Sequence, residues 1–426
     1  RLAREGTYFE QCYCAAPSCV PSRGSFFNLL SPSRVGAMKN GDPWQPYWVE
    51  QFRQAGYRTL NVGKMHTQPY DVPGGFEQRF VIENKDRSFF PRYYDDWDRH
   101  LKQRGIKAPN RHSYRHHPDY DTALGAYQWE LPPELHWDYF VSQTAEWVID
   151  EHDDRPLFMQ LGFPGPHTPY DPPPSYLDRI DLERIPLPPG FDMERDIPPH
   201  HDYREIMIHG NHGGVKWSDC PTEAQLRRLR HYYAANMAMI DERIGAVLDA
   251  FERKGLLDDL IVVFTSDHGD TLGDHYQIQK WTMFDTVMRV PTIVWAPGRV
   301  QAGVRCDQLI QQMDLVPMMF ELADVPLNDS REAIHAGDVL SGKRPGRDAV
   351  FAEHGRCNML PNIEHMAMVR TAEWKLVSYA GESFGELYDM RNDPDEIDNR
   401  WGDPSCRAVQ EELARRLEAH QANSIN

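Results

Sequence analysis

The sequence has no apolar run near the roughly twenty residues that span a bilayer, so no membrane-crossing helix is expected. It has no repeated CxxC, which argues against zinc knuckles and iron–sulfur clusters. Seven cysteines in 426 residues do not make a disulfide scaffold, and the odd count leaves at least one free thiol. Basic residues are in deficit: 46 Lys and Arg against 64 Asp and Glu give a net charge of −18. No basic stripe stands out, so a nucleic-acid partner is not expected. A small anionic substrate is still compatible, because a local cationic pocket can sit on an acidic protein. A start signal and a signal peptide are also missing. The opening RLAREG reads as the last turn of a helix closed by Gly6, so further sequence is expected upstream. Compartment and oligomeric state are not legible.

What is present reads as alternating strands and helices. TYFEQCYC is β-prone and leads into a CVPSR loop; SRGSFFNLL then has helical spacing. Ser22 and Arg23 would lie near that helix's N-terminus, where free backbone N–H groups favour an anion. YWVEQFRQAGYRTLNVGKMH reads as a helix closed by Gly56, a strand, and a loop carrying Lys64 and His66. Residues 70–135 read as insertion loops and short helices. An amphipathic helix, DYFVSQTAEWVIDEH, precedes a buried strand, RPLFMQLGF, and a proline-stiffened loop holding His167. Residues 221–254 predict the longest helix, with Tyr233, Met237, Ile240, Ile244, Val247 and Phe251 on its apolar stripe. LIVVFTSDHGD and IVWAPG read as further core strands. The pattern predicts an α/β fold with a doubly wound, mostly parallel sheet over residues 1–344. From 345 to 426, DAVFAEHG, HMAMVRTAEWKLVSY and GELYDM predict a smaller α+β unit of antiparallel strands, closed by the helix ELARRLEAHQ.

The chemistry turns on CVPSR. A cysteine-phosphatase loop needs an arginine at a fixed distance after the thiol; that position is Ser25 from Cys19 and Val20 from Cys14, so neither fits. A zinc site needs four compact ligands, and Cys12, Cys14 and Cys19 have irregular spacing and no local fourth. The third reading is a resemblance. Cys-x-Pro-Ser-Arg resembles the signature of the type I sulfatases, members of the alkaline phosphatase superfamily that use formylglycine. LAREGTYFEQCYCAAPSCVPSR is similar to the whole family stretch, GYRTLNVGKMH to its glycine–lysine–x–histidine block, and FMQLGFPGPHTPYDPP to its Pro–His–x–Pro block. LLDDLIVVFTSDHGDTLGDH and QKWTMFDTVMRVPTIVWAPG resemble half of its metal site and the lysine after it. ELYDMRNDPDE resembles its C-terminal hallmark. The blocks stand in family order along the chain.

The resemblance implies a hydrolase of sulfate esters, of a sulfated carbohydrate or other small organosulfate. It implies that Cys19 is oxidised by a formylglycine-generating or anaerobic maturation enzyme, and that the hydrated aldehyde is the nucleophile. Arg23 would support that group and the anion. A divalent metal, first of all Ca2+ with Mg2+ or Mn2+ possible, would be held by the Cys19-derived group, Asp267 and His268. An imidazole at His268, where many members have asparagine, softens the site. The family's Asp–Asp ligand pair would precede Arg1. Lys64 and Lys280 match the lysines on the sulfate oxygens, His66 the histidine that manages the diol proton, and His167 the candidate general acid. Asn40 resembles an asparagine lining some family pockets. Two rivals remain: a phosphonate or phosphate ester hydrolase of the same superfamily, and a non-catalytic sulfated-glycan binder. The Gly63–Lys64–x–His66 block favours the sulfatase.

Other reactive residues read as structural. Asp274 and His275 are expected to brace their loop. His116, His117, His200, His201, His209 and His212 fall in loops and read mostly as surface. The residues from 85 to 135 have the composition of a polar sugar rim. Cys220, Cys306, Cys357 and Cys406 show no role beyond packing.

Overall fold

The structure is a computed structural model that describes residues 1–83, 94–191, 203–210 and 214–425. The strands are β1 (Thr7–Phe9), β2 (Cys12–Tyr13), β3 (Arg58–Gly63), β4 (Gln78–Val81), β5 (Leu157–Gly162), β6 (Val262–Phe264), β7 (Thr292–Trp295), β8 (Val304–Cys306) and β9 (Ile310–Gln311), followed by β10 (Val350–Cys357), β11 (Leu360–Arg370), β12 (Trp374–Tyr379) and β13 (Gly385–Asp389). One sheet has the order β4-β3-β5 and is wholly parallel. A second has the order β6-β7-β1-β8, in which only β1 and β8 run parallel. The expected α/β class stands, with parallel pairs flanked by helices. The finding beyond it is that β7 returns antiparallel to β6, after a long loop rather than a helical crossover. That loop carries Asp267, His268 and Lys280.

Local sequence explains several departures from expectation. CVPSR is not a loop: it is the first turn of the helix Cys19–Asn28, with Ser18 at the N-cap. Pro21 is tolerated there because a first-turn N–H has no intrahelical partner to lose. Gly6 is extended, at φ −122°, rather than left-handed. A Cβ on Gly6 would lie 2.5 Å from Val294 O, so glycine is needed for close approach of β7. β4 arises in the segment expected to hold only loops and short helices. β5 was expected buried, yet Leu157–Leu161 are partly exposed because β5 is an edge strand. The helix Glu223–Arg253 opens with a capping box between Thr222 and Gln225. Its core face runs through Leu226, Leu229, Tyr232, Met239, Val247 and Phe251, whereas Met237 is exposed. At 3.6 residues per turn a stripe over so long a helix admits two neighbouring registers, and the side facing Tyr232 and Met239 is the buried one.

Strands β10 to β13 form an antiparallel meander in sequence order. Alternate residues split between its two faces. Ala367, Val369, Leu376 and Leu387 pack under Leu413 and Leu417 of the closing helix Arg407–Ile425. Met366, Met368, Val377 and Tyr379 join Phe9, Val287 and Ile310 in the main core. We propose 1–344 and 345–426 as a division of topology; the apolar core is continuous across it.

Candidate active site

The site is built around one sulfur. Cys19 is buried, at 1 % exposure. Lys280 Nζ donates to its Sγ at 2.9 Å and Lys64 Nζ at 3.5 Å, while His268 Nε2 lies 3.2 Å away. Both lysines are buried as well. Lys64 arrives from the end of β3, where Gly63 takes φ +101° and a Cβ would meet Gly162 O at 2.2 Å. Burial alone would raise the Cys19 thiol, but Lys280, Lys64 and His268 outweigh it and hold the group well below its ordinary value. Cys12 behaves in the opposite way: burial pushes its thiol up to about 12. One cysteine of the N-terminal cluster therefore faces cations, and its neighbour packs. Burial also lowers the Lys64 ammonium, against the pull of the Cys19 sulfur and Asp267.

Arg23 acts as a tie. Its Nε donates to Asp267 Oδ2 at 2.8 Å and its Nη1 to Lys64 O at 3.0 Å. Ser22 Oγ donates to Asp267 O, so the first turn of the Cys19 helix grips the Asp267 segment twice. Burial would raise the Asp267 carboxyl, yet the guanidinium of Arg23 carries it well below the usual carboxylate range. Asp267, His268 and Cys19 place an oxygen, a nitrogen and a sulfur within 4.8 Å of one another. His268 Nδ1 lies 2.7 Å from Gly269 O, which assigns the ring proton there and leaves Nε2 as a lone-pair donor. That Nε2 lone pair faces Lys280 Nζ at 3.0 Å as well as Cys19, and with the ionised Asp267 carboxylate it makes a donor set that fits a divalent cation.

His167, His66 and Asn40 stand further out. His167 Nδ1 lies 2.9 Å from Thr168 O, in the loop that follows β5. Burial, then Lys280 and Lys64, hold its imidazole well below its ordinary value, so it is neutral here. His66 is in a left-handed conformation, φ +62°. Its backbone N–H donates to Glu83 Oε1 at 2.9 Å, and its Nδ1 is buried without a hydrogen-bond partner among the described residues. Neither histidine bonds to Cys19 in the described structure. Asn40 Oδ1 accepts from Val20 N at 3.0 Å, which supports the start of the Cys19 helix.

Some residues here carried no sequence signal. His354 of β10 is buried and places Nε2 3.0 Å from Ser18 Oγ, so the N-cap hydroxyl serves His354 instead of the helix. Glu83, which fixes the His66 backbone, sits just before residues 84–93, which lie outside the described structure; of the expected sugar rim, 85–135, only residues 85–93 fall there. The loop residues expected to brace do so: Asp274 pairs with Arg230 and His275 stacks on Phe284 with centroids 3.6 Å apart. His117 accepts from Asp119 N, and His209 is exposed; His200, His201 and His212 lie outside the described residues. Cys220 is exposed, so packing does not describe it.

Comparison with known proteins gives a consistent result. The family model described as Sulfatase matches residues 1–325, and that described as N-sulphoglucosamine sulphohydrolase, C-terminal, matches 273–423. An arylsulfatase of Clostridium perfringens is 27 % identical over 423 residues, covering 93 % of this chain and 83 % of its own. An N-acetylglucosamine-6-O-sulfatase of Bacteroides thetaiotaomicron is 24 % identical, with 99 % and 81 % covered. Among solved structures, a phosphonate monoester hydrolase from Silicibacter pomeroyi superposes with a TM-score of 0.80 at 23 % identity, over 99 % of this chain and 89 % of that one. At that identity the likeness is one of fold.

Proposed function

The chain belongs to the sulfatase family, and from that premise we propose how its residues divide the work of sulfate ester hydrolysis. The protein is a sulfuric ester hydrolase. Sulfuryl transfer moves a group that is negative throughout, so catalysis is mainly positioning and charge stabilisation. The observation that carries our reading is the convergence of Lys64, Lys280 and His268 on the buried Cys19 sulfur. A plain thiol has no need of two buried ammonium groups; a sulfate oxygen cluster does. When present, formylglycine made from Cys19 supplies an oxygen nucleophile that can be regenerated, and a divalent cation supplies Lewis acidity. Asp267, His268 and the Cys19-derived group would hold that cation, Ca2+ first and Mg2+ or Mn2+ next.

Lys64 and Lys280 bind the anion's oxygens where burial strengthens each contact. Arg23 fixes Asp267 and the Lys64 backbone, and so acts on the anion through them. His167, neutral with Nδ1 tied to Thr168 O, would accept at its other ring nitrogen the proton that the attacking hydroxyl gives up and return it to the leaving oxygen, so the alcohol departs neutral. Glu83 fixes the His66 backbone, and His66 is assigned the nucleophile's remaining hydroxyl proton. Asn40 holds the helix start and is assigned no substrate contact. Because Cys19, Val20 and Ser22 are each 1 % exposed, the maturation enzyme must meet this segment before the domain closes. The substrate class is a sulfated saccharide or small organosulfate; the amino-sugar sulfatase relative supports the former.

Peptide mass spectrometry over Cys19 tests the nucleophile, since thiol-to-aldehyde conversion removes about 18 Da. Active enzyme with an unmodified Cys19 would sink the mechanism. A panel of sulfated sugars, aryl sulfates, phosphonates and phosphodiesters tests the class, and phosphonate turnover above every sulfate would reverse it.

A further inference from the structure

Lys375, in β12, is fully buried and lies far in sequence from every residue of the site. Its ammonium donates to Met283 O at 3.0 Å, to Glu396 Oε1 at 2.6 Å and to the Asp285 carboxylate. Asp285 closes the ring. Its backbone N–H donates to Glu396 Oε2 at 2.6 Å, and its Oδ2 accepts from Tyr13 OH at 2.8 Å. Arg370 lies 5.7 Å over the Tyr13 ring. Burying such a set of charges is unfavourable unless geometry and hydrogen bonds offset the lost hydration, so it is weak evidence for stability as such.

What the cluster holds gives it a purpose. Met283 and Asp285 stand on the chain just after Lys280, and Tyr13 stands on the strand that leads to Cys19. Lys280 itself lies between Gln279 at φ +72° and Trp281 at φ +75°. Both are non-glycine residues in the left-handed region, a conformation that persists only where surroundings over-determine it. Upstream, Thr271 N donates to Gln279 O at 2.8 Å; between, Trp281 N donates to Pro17 O at 3.2 Å. Downstream, the hold is the Lys375 cluster. Glu396, also left-handed at φ +56°, is the last residue of ELYDMRNDPDE, a motif that the catalytic reading leaves without work.

We propose that Lys375, together with Glu396, is a positioning residue for Lys280: the antiparallel sheet reaches into the main domain to fix the strained 279–285 loop, and thereby the 2.9 Å approach of Lys280 to the Cys19 position. The inference rests on the reading of Lys280 as an anion-holding lysine.

The test uses Lys375→Met in the full chain, with inorganic sulfate as the binding probe and an aryl sulfate as substrate. Cys19 conversion is measured in each sample, so incomplete maturation is not mistaken for poor positioning. The expected result is at least about tenfold weaker sulfate binding and about tenfold lower kcat at equal conversion, measured well below the variant's melting temperature. The variant Asp285→Asn, Lys375→Met, Glu396→Gln removes the unpaired carboxylates and should recover melting temperature. Sulfate affinity and kcat are expected to stay low in it. Their return along with stability, or their retention in Lys375→Met, would show a merely structural cluster and overturn the proposal. If Lys375→Met does not fold, Glu396→Gln carries the same comparison: weakened sulfate binding supports the tie and unchanged binding refutes it. Failure of the wild type to turn over any sulfate ester would count against the sulfatase reading alone, because the sulfate-binding comparison would still stand.

Discussion

Arg23 and Asp267 form an ion pair of 2.8 Å whose side chains are 13 % and 15 % exposed, and the same guanidinium donates to Lys64 O. One planar group thus joins the helix that carries Cys19, the carboxylate proposed as a metal ligand and the lysine proposed to hold the anion. Lysine carries the charge but not the fork, so it can serve only one of the two acceptors. Arg23→Lys is expected to fold with reduced kcat. Arg23→Met leaves a buried carboxylate uncompensated and should lose about 3–5 kcal/mol of stability. Denaturant titration read beside turnover checks both; equal stability of the methionine variant and wild type would remove Arg23 from this role.

The two lysines are unequal. Lys280 Nζ is 2.9 Å from the Cys19 sulfur and Lys64 Nζ 3.5 Å. Removing one buried donor from a developing anion typically lowers kcat by about 10²–10³. Lys280→Met is expected at the upper end of that range and Lys64→Met at the lower. Their combination should fall short of the product of the two, because each contact depends on the other's placement. Initial rates on an aryl sulfate, normalised to converted Cys19, decide it; strict multiplicativity would argue that the lysines act at separate places.

Much of this site was legible because its residues stand in ordered blocks. Cys19, Lys64, Asp267, His268 and Lys280 were named from sequence, and the fold brings their side chains together. Direction was not legible. Arg23 and Asn40 are near the nucleophile, but which acceptor each one meets depends on loop geometry that no spacing encodes. The start of the nucleophile helix was hidden by Pro21, which reads as a breaker except in a first turn. The polarity of β7 was hidden because an apolar run fits a parallel or an antiparallel neighbour equally well. His354 sits in a strand with no motif around it, and Lys375 looks like an ordinary exposed strand lysine until Asp285 and Glu396 are seen beside it.

His354 should make the fold acid-sensitive. It is 1 % exposed, and burial pulls its imidazole down to about 4. Lys280 and His365 face it and push the same way. The native state therefore holds it neutral, whereas the unfolded chain protonates near pH 6.5. A depressed folded value gives stability that is present above about pH 6.5 and is lost as the pH falls toward about 4, up to about 3 kcal/mol. His354→Gln keeps a polar partner for Ser18 and cannot titrate. Its stability is expected to fall less between pH 7 and pH 4.5 than that of wild type, by urea denaturation. Parallel pH profiles for the two proteins would exclude this histidine as the cause.

We propose that His268 sets the metal preference. Its Nδ1 is committed to Gly269 O, so the Nε2 lone pair faces Cys19 and Lys280 Nζ and would offer a metal nitrogen where a carboxamide oxygen would be harder. Nitrogen favours Mn2+ over Ca2+ more than oxygen does. Chelation is expected to abolish turnover and lower the melting temperature, and either ion should restore both. In His268→Asn the Ca2+ response should survive, while Mn2+ binds about tenfold or more weakly. A tenfold loss in affinity subtracts about 1.4 kcal/mol from the stabilisation at a fixed saturating concentration, which a thermal-shift titration resolves without any activity measurement. If Ca2+ and Mn2+ shift the melting temperature of wild type and His268→Asn by the same amounts, the imidazole is not a ligand, and Asp267 with the Cys19-derived group holds the ion without it.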